Sequence, residues 1–215
     1  VSGAVRGVGK AAASLPAALR LLRARRPRAI FSVGGYAAGP VSLAARAQGT
    51  PLALLEPNAV IGLTNQLVAP FVSRAYTAFA EAERHFRASV VRRTGVPIRG
   101  GFAPRPFERT TKQLAVLVLG GSQGARALNE AVPRALASAR TPVRVVHQCG
   151  RIHEAETRAR YAELGAGDRA TVVAFIDDMP AAIGAAHLVV SRAGASAVSE
   201  ICAAGRPSLL VPYPF

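Results

Sequence analysis

The sequence of 215 residues contains few of the residues that build covalent or metal frameworks. It has only two cysteines, Cys149 and Cys202, which are far apart and form no CxxC pair. This pattern argues against a disulfide framework and fits a reducing cytosol. The histidines do not have the spacing of metal ligands, and this lack predicts that no metal site is present.

Long apolar runs are also missing. No run reaches the length of a helix that spans a bilayer, and no signal peptide is recognisable. Half of the residues are nonetheless hydrophobic, which indicates a folded chain with a large core. The sequence has no initiator methionine and begins and ends within a repeating pattern, so we expect an internal fragment of a longer protein.

Acidic residues are scarce: 12 Asp and Glu stand against 27 Lys and Arg, for a net charge of +15. This excess fits a nucleic acid, an anionic membrane surface or a phosphorylated substrate, but also a genome-wide arginine bias. Aromatic residues are few and do not alternate with the arginines, so no nucleic-acid partner is predicted. Residues 14–26 are predicted to form a basic amphipathic helix. This helix either attaches to an anionic membrane or packs on a sheet with its basic face in solvent.

Short apolar strands alternate with helical segments along the whole chain, which predicts parallel sheets covered by helices on both faces. We predict an α/β protein with two Rossmann-like domains that face a cleft. The first domain comprises residues 1–103, a linker 104–113 and the second domain 114–215. The helix that follows the first strand of the second domain is predicted to break at Pro133.

The most informative stretch is residues 114–129, LAVLVLGGSQGARALN. An apolar strand leads through a glycine-rich turn into a helix, which places free N–H groups at the positive end of a helix dipole. Such a turn binds phosphate, although an ordinary strand–helix turn has the same appearance. The predicted phosphate-loop backbone consists of Gly120, Gly121, Gln123 and Gly124.

A second strand, glycine turn and helix occupy residues 191–200, so both helix N-termini are expected at one edge of the sheet. Glu200 either accepts hydrogen bonds from ribose hydroxyls or offsets the helix dipole. Phosphate and diol recognition together indicate a nucleoside diphosphate. Asp177 and Asp178 are adjacent and are predicted to cap a helix rather than to form an acid/base pair. No magnesium ligand set is apparent, which favours a metal-independent site.

The motifs GGYAAGP, EPNAVIGLTN, LGGSQGARALN, FIDDM and SRAGASAVSEICAAGRPSLLVP occur in this order. Together they resemble the MurG family of N-acetylglucosaminyltransferases over essentially the whole chain. The resemblance implies a GT-B fold, with both domains truncated here. It implies an inverting, metal-independent transferase without a cofactor, at the cytoplasmic face of the bacterial plasma membrane. The implied partners are UDP-N-acetylglucosamine, a lipid-linked muramyl-pentapeptide and, through the basic helix, an anionic membrane surface.

The resemblance also assigns residues to the binding of UDP-N-acetylglucosamine. Ser122 falls to the diphosphate, Ile176 to the uracil through its backbone, and Glu200 to the ribose hydroxyls. The other assigned residues are Asn58, Arg99, Ala195, Ser196, Ala197, Val198 and Ser199. Glu56 is the only candidate for the general base that this chain offers.

The chain departs from the family pattern at Leu55, Pro57 and Val96, which puts the acceptor contacts in doubt more than the donor contacts. Two other functions stay open. The protein is either a GT-B transferase with a different acceptor, or a non-catalytic half that binds a nucleotide sugar and needs a partner chain. The fragment alone is expected to be inactive.

Overall fold

The computed structural model describes residues 2–106, 113–121 and 123–212, and side chains from residue 13 onward. The chain divides into two compact units, Val1–Pro97 and Ile98–Phe215. Residues 98–106 therefore count with the second unit, where Phe102 packs against its core. Much of the predicted linker 104–113 lies outside the described residues, so the predicted domain borders stay a prediction.

The first unit is built on four parallel strands in the order β1-β2-β3-β4. Its strands are β1 (Ile30–Ser32), β2 (Leu52–Glu56), β3 (Arg74–Thr77) and β4 (Val91–Arg93). Its helices are α1 (Ser2–Arg25), α2 (Ala38–Ala47), α3 (Leu63–Val68) and α4 (Ala80–Glu83), with 3₁₀ turns at Ala69–Phe71 and Ala88–Val90. The strand β4 was not predicted, because Val91–Arg93 carries two charges and no alternating apolar pattern.

One face of this sheet carries the core of the first unit. Leu52 and Leu54 are buried in a cluster with Val68, Val72 and Phe86. The alternate strand residues, including Phe31, Leu55 and Tyr76, line an open concavity of about 500 Å³ on the other face. The sequence predicts that helices cover both faces of each sheet. Among the described residues of the first unit, they cover only one face of its sheet.

The first helix is longer than predicted: α1 starts at Ser2 rather than at Ser14. Glycines interrupt the residues before Ser14, but a glycine inside a helix costs only about 1 kcal/mol and does not forbid it. Within α1, Ala18 and Leu22 are buried against Ala44 and Ala45 of α2. The apolar face of this basic helix is thus occupied by packing within the first unit.

The second unit contains five parallel strands in the order β7-β6-β5-β8-β9. The strands are β5 (Leu114–Leu119), β6 (Val143–Gln148), β7 (Ala170–Val173), β8 (Leu188–Arg192) and β9 (Ser208–Val211). The helices are α5 (Arg126–Ser138), α6 (Glu154–Glu163), α7 (Met179–Ala185) and α8 (Ala195–Ala203), with 3₁₀ turns at Arg151–His153 and Gly167–Arg169. The predicted α/β class with parallel sheets is confirmed, and β5 is the apolar strand that was predicted at the start of residues 114–129.

Helices cover both faces of the second sheet. Side chains of the central strand β5 alternate between the two faces and pack against different helices. Val118 packs with Leu128 of α5 and Tyr161 of α6 on one face. Leu117 and Leu119 pack with α7 and α8 on the other, where Ile183 and Ile201 are buried. The chain passes from β5 outward to β6 and β7 and then returns to β8 on the other side of β5. The gap between β5 and β8 is therefore a topological switch point, where open α/β sheets bind ligands.

Helix α5 does not break at Pro133, contrary to the prediction, and continues to Ser138. A proline inside a helix cannot donate to the carbonyl four residues earlier, which here belongs to Asn129. The guanidinium of Arg160 on α6 donates to that carbonyl at 3.4 Å. A neighbouring helix thus supplies the hydrogen bond that the proline cannot make.

Among the described residues, the structure contains no helix with the length and apolar character needed to cross a bilayer.

Candidate functional site

The turn after β5 has the geometry that its glycines predict. Gly121 and Gly124 both have φ of +79°, a conformation that side-chain-bearing residues rarely adopt, and the Gly124 N–H donates to the Gly121 carbonyl at 3.1 Å. A Cβ atom on Gly120 would lie 2.8 Å from the Ala125 nitrogen, so the chain folds back tightly there. Gly121 and Gln123 are exposed, whereas Gly120 is buried. Ser122, which the resemblance assigns to the diphosphate, lies outside the described residues.

The turn rests on the loop that follows β6. A Cβ atom on Gly124 would collide with the carbonyl of Cys149, and one on Gly150 would lie 2.6 Å from the Gly124 nitrogen. Glycine is therefore required at both positions by close contact between two backbones. The contact holds the glycine turn directly at the start of α5.

The turn after β8 presents a second helix N-terminus. Gly194 precedes α8, whose first residue is Ala195, and Ser196 is exposed, while Ala197, Val198 and Ser199 are half-buried. No side-chain cap hydrogen bond is made at the N-terminus of α8 or of α5 in the described part of the chain. By contrast, the Asp178 carboxylate accepts the Ala181 N–H at the start of α7, which confirms the predicted cap.

The two uncapped helices start at neighbouring positions. Strands β5 and β8 are parallel and adjacent, and their last paired residues are Leu119 and Ser191. The segments that follow β5 and β8 therefore leave the sheet at the same edge and at the same level. N–H groups at two helix N-termini and two aligned dipoles meet at the switch point, an arrangement that binds anions such as a diphosphate.

Glu200 lies on α8, one and a half turns from its start. Its carboxylate pairs with the Arg99 guanidinium at 3.3 Å, and only 14% of the Glu200 side chain is exposed against 59% for Arg99. Both residues belong to the second unit. The structure thus brings together two of the residues predicted to contact the donor, Glu200 on the helix that also carries residues 195–199 and Arg99 beside it.

The segment after β7 crosses the end of the sheet on its way to α7. Ile176 is half-buried there and packs against the cluster below α7 and α8. Its backbone N–H donates to the side-chain oxygen of Gln148 at 3.0 Å. Sequence reasoning missed Gln148, although a polar residue at the carboxyl end of a predicted buried strand was a signal for it.

An open concavity of about 480 Å³ adjoins this crossing segment and the glycine turn. It is lined by Gln123, Arg151, Ile152, Ala174 and Phe175. Ile152 is 81% exposed and Phe175 51% exposed, so apolar surface faces this space. The volume is in the range of small-molecule sites in proteins.

A buried polar chain supports the glycine turn from below. The Asn129 amide nitrogen donates to the Cys149 carbonyl at 3.1 Å, so its oxygen faces His147 Nε2, also at 3.1 Å. His147 Nε2 therefore carries the proton, and Nδ1 accepts the hydroxyl of Tyr161 at 3.0 Å. Burial lowers the pKa of His147 from 6.5 to about 4 and raises the pKa of Tyr161 and of the Cys149 thiol.

In the first unit, Glu56 ends β2 and is only 1% exposed. One carboxylate oxygen accepts the backbone and side-chain N–H groups of Asn58, at 3.1 and 3.2 Å. The other accepts the Gly62 N–H at 3.1 Å and the Asn65 side chain at 3.0 Å. The hypothesis that Glu56 is the general base stays a prediction, and this geometry argues against it because four donors already surround the carboxylate. Asn58 itself is exposed, as a ligand-binding residue must be.

No group of three or more His, Cys, Asp or Glu side chains within the described ranges could hold a metal ion. Cys149 is a buried free thiol and Cys202 an exposed one. Backbone N–H groups at the two helix N-termini and the Arg99 guanidinium are groups of the described site that favour an anion.

Two family models match the chain. The model of the glycosyltransferase family 28 N-terminal domain matches residues 2–77, and that of the C-terminal domain matches residues 115–215. The two matches divide the chain between its two units, and the second includes both helix N-termini of the site.

Known proteins that are similar to this chain include two named transferases and one crystal structure. It is 56% identical, over its whole length, to a Sorangium cellulosum protein named UDP-N-acetylglucosamine--N-acetylmuramyl-(pentapeptide) pyrophosphoryl-undecaprenol N-acetylglucosamine transferase, of which it covers 54%. It is 49% identical to the Xanthomonas euvesicatoria protein of the same name, with 90% of this chain and 44% of that protein covered. The crystal structure of Acinetobacter baumannii MurG matches with a TM-score of 0.75 and 36% identity, over 96% of this chain and 59% of that one. The chain spans about half the length of the curated relatives it matches.

Proposed function

Because the chain belongs to glycosyltransferase family 28, we propose that the full-length protein transfers N-acetylglucosamine from UDP-N-acetylglucosamine to a lipid-linked N-acetylmuramyl-pentapeptide. The reaction converts lipid I to lipid II in peptidoglycan synthesis. The relative from Sorangium cellulosum carries the name of this transferase at 56% identity. The observation that carries the proposal is the pair of uncapped helix N-termini beside β5 and β8.

The diphosphate of the donor binds at these two helix N-termini. The N–H groups of Gly121 and Gln123 and of residues 195–197 donate to the phosphate oxygens, and the two helix dipoles favour the negative charge. The N–H groups of Gly120, Gly124 and Val198 already donate to carbonyls of the chain. In the bound state the diphosphate needs no metal ion, since the donors are fixed before it arrives.

The ribose and the base of the donor extend from the diphosphate along the edge of the sheet. Glu200 accepts hydrogen bonds from the vicinal hydroxyls of the ribose, and Arg99 holds the carboxylate in place through their ion pair. The backbone of Ile176 contacts the uracil. Asn58 is also assigned to the donor, and Glu56 fixes its orientation.

The reaction is a single displacement that inverts the anomeric carbon. The oxygen of the muramyl 4-hydroxyl forms the new bond to that carbon, the bond to the UDP oxygen breaks, and a general base removes the hydroxyl proton. The leaving diphosphate carries an additional negative charge, which the helix N-termini stabilise.

The protein acts as a peripheral enzyme at the cytoplasmic face of the plasma membrane. Arg20, Arg23 and Arg25 of α1 are exposed, whereas the apolar face of the same helix packs on α2. Attachment is therefore electrostatic, worth about 1 kcal/mol for each arginine near an anionic surface. Flotation with anionic vesicles should fail above moderate salt and after replacement of these three arginines by glutamine. Salt-resistant flotation would contradict this mode of attachment.

Calorimetric titration of UDP-N-acetylglucosamine into the full-length protein tests the donor site. We expect binding that prefers this donor over UDP-glucose and that weakens at least about 30-fold in Glu200→Ala, since hydrogen bonds to a charged group contribute about 2 kcal/mol each. Glu163→Ala on α6 is the matched control and should bind normally. Absence of binding by folded wild-type protein would contradict the proposal. Binding without transfer to lipid I would favour a different acceptor or a non-catalytic role.

A further inference from the structure

Gln148 connects two parts of the candidate site. It is the last residue of β6, which lies between β5 and β7 in the sheet. Strand β5 leads into the glycine turn, and β7 leads into the crossing segment that contains Ile176. Although glutamine is mostly a surface residue, Gln148 is only 3% exposed. A buried amide at this edge needs hydrogen-bond partners. The backbone of Gln148 contacts one neighbouring segment, and its side chain contacts the other.

The backbone of Gln148 holds the glycine turn. Its carbonyl accepts the N–H of Gly120 at 3.0 Å, at the point where the chain leaves β5. A Cβ atom on Gly120 would lie only 3.0 Å from the same carbonyl oxygen. The position of the turn is therefore set by the main chain at residue 148, independently of the side chain there.

The side chain of Gln148 holds the crossing segment. Its Oε1 atom accepts the N–H of Ile176 at 3.0 Å, which fixes the orientation of the amide. The Ile176 N–H is thereby occupied, and the Ile176 carbonyl is left as the backbone group that a ligand can use. Among the described residues, no hydrogen bond is made by the Gln148 Nε2 donor.

We infer that Gln148 determines which base the nucleotide site accepts, with Nε2 as donor to a base carbonyl and the Ile176 carbonyl as acceptor from a ring N–H. Uracil presents this pair of groups, because a ring N–H lies next to a carbonyl. Cytosine presents the reverse, an unprotonated ring nitrogen next to an amine. The inference rests on the proposed function and adds to it the residue that selects the base.

Gln148→Glu separates this role from a structural one. A carboxylate at residue 148 still accepts the Ile176 N–H, but it cannot donate to a base carbonyl. We expect the affinity for UDP to fall at least about 10-fold, because a site built to pair a polar group discriminates strongly when one partner is lost. The affinity for CDP should fall less or rise, since its amine can donate to the carboxylate. Pyrophosphate should bind as before, because the glycine turn uses only the backbone of residue 148.

The experiment is a calorimetric titration of UDP, CDP and pyrophosphate into the full-length protein and its variants. Gln113→Glu is the matched control, as it makes the same change beside the start of β5, at the opposite edge of the sheet, and should leave all three affinities unchanged. Gln148→Met keeps the shape without donor or acceptor, and it should bring the affinities for UDP and CDP close to each other.

An equal loss of affinity for all three ligands, in a protein that circular dichroism shows to be folded, would overturn the inference and leave Gln148 a structural residue. Unchanged UDP and CDP affinities in both variants would overturn it as well. If wild-type protein bound no UDP, the proposed function itself would fail, which is a different result from UDP binding that ignores residue 148.

Discussion

Protonation of His147 should destabilise the second unit in weakly acidic solution. The imidazole is fully buried between Tyr161 and Asn129, and burial lowers its pKa from 6.5 to about 4. Well above pH 6.5 the ring is neutral in both the folded and the unfolded chain, so its protonation takes nothing from the stability there. Between pH 6.5 and pH 4 the unfolded chain binds a proton that the folded chain does not bind. The free energy of unfolding therefore decreases as the pH falls.

The size of the effect follows from the shift. At about 1.4 kcal/mol for each pKa unit, the change from 6.5 to about 4 corresponds to about 3 kcal/mol of stability lost by pH 4. Carboxylates also titrate in this range, so the effect must be isolated by a difference between variants. His147→Gln keeps a donor and an acceptor at this position but does not titrate.

The assay is urea denaturation followed by circular dichroism at several values between pH 7.5 and pH 4.5. Wild-type protein should lose more free energy of unfolding over this range than His147→Gln, by about 2 kcal/mol, since the range stops short of the folded pKa. Parallel curves for wild type and His147→Gln would refute the reasoning, because the folded protein would then bind the proton as readily as the unfolded chain.

Three further substitutions test the site. Gly124→Ala should lower the free energy of unfolding by more than about 2 kcal/mol and abolish UDP binding, because the new Cβ atom meets the backbone of the next loop. Gly121→Ala has the same φ but open space around the Cβ atom, and it should cost about 1 kcal/mol. Equal losses of stability in thermal unfolding would contradict the contact at Gly124. Each oxygen of the Glu56 carboxylate accepts two hydrogen bonds, and Glu56→Gln replaces one of these oxygens by an amide nitrogen that cannot accept them. The substitution should lower the free energy of unfolding by about 3 kcal/mol and leave the pH profile of the transfer reaction unchanged. Loss of the acidic limb of that profile would instead support a general base, because protonation of the base at low pH is what stops its action. Asp178→Ala should cost about 1 kcal/mol in chemical denaturation, through loss of the cap on α7, and an unchanged midpoint would show that the cap is not used.

Local patterns were sufficient to predict the strands of the second unit and the cap of α7. The strand at 114–119 is a continuous apolar run that ends in glycines, and Asp178 stands directly before a proline-containing helix start. In both cases the determining residues are neighbours in sequence. The glycine turns were predicted for the same reason, since positive φ is a property of the residue itself.

Features that depend on distant residues were predicted wrongly or missed. The continuity of α5 through Pro133 depends on Arg160, and nothing near the proline indicates that helix α6 will supply the donor. The hydrogen bond of the Gln148 side chain depends on Ile176, which is 28 residues away in sequence. The donors around Glu56 come from a loop that folds back on the strand, so the carboxylate looked like a free group in the sequence.

The position of β8 beside β5 has a consequence for the folding of the second unit. Strands β5, β6 and β7 follow one another with one helix between each pair, so their pairing closes short loops. Strand β8 pairs with β5 only after the chain has returned across the sheet, which closes a much longer loop and is expected to be slower. The glycine turn and the N-terminus of α8 thus become neighbours only in that late step. A ligand that bridges them would bind no earlier intermediate, and it would act as a reporter for the final docking of the two halves of the sheet.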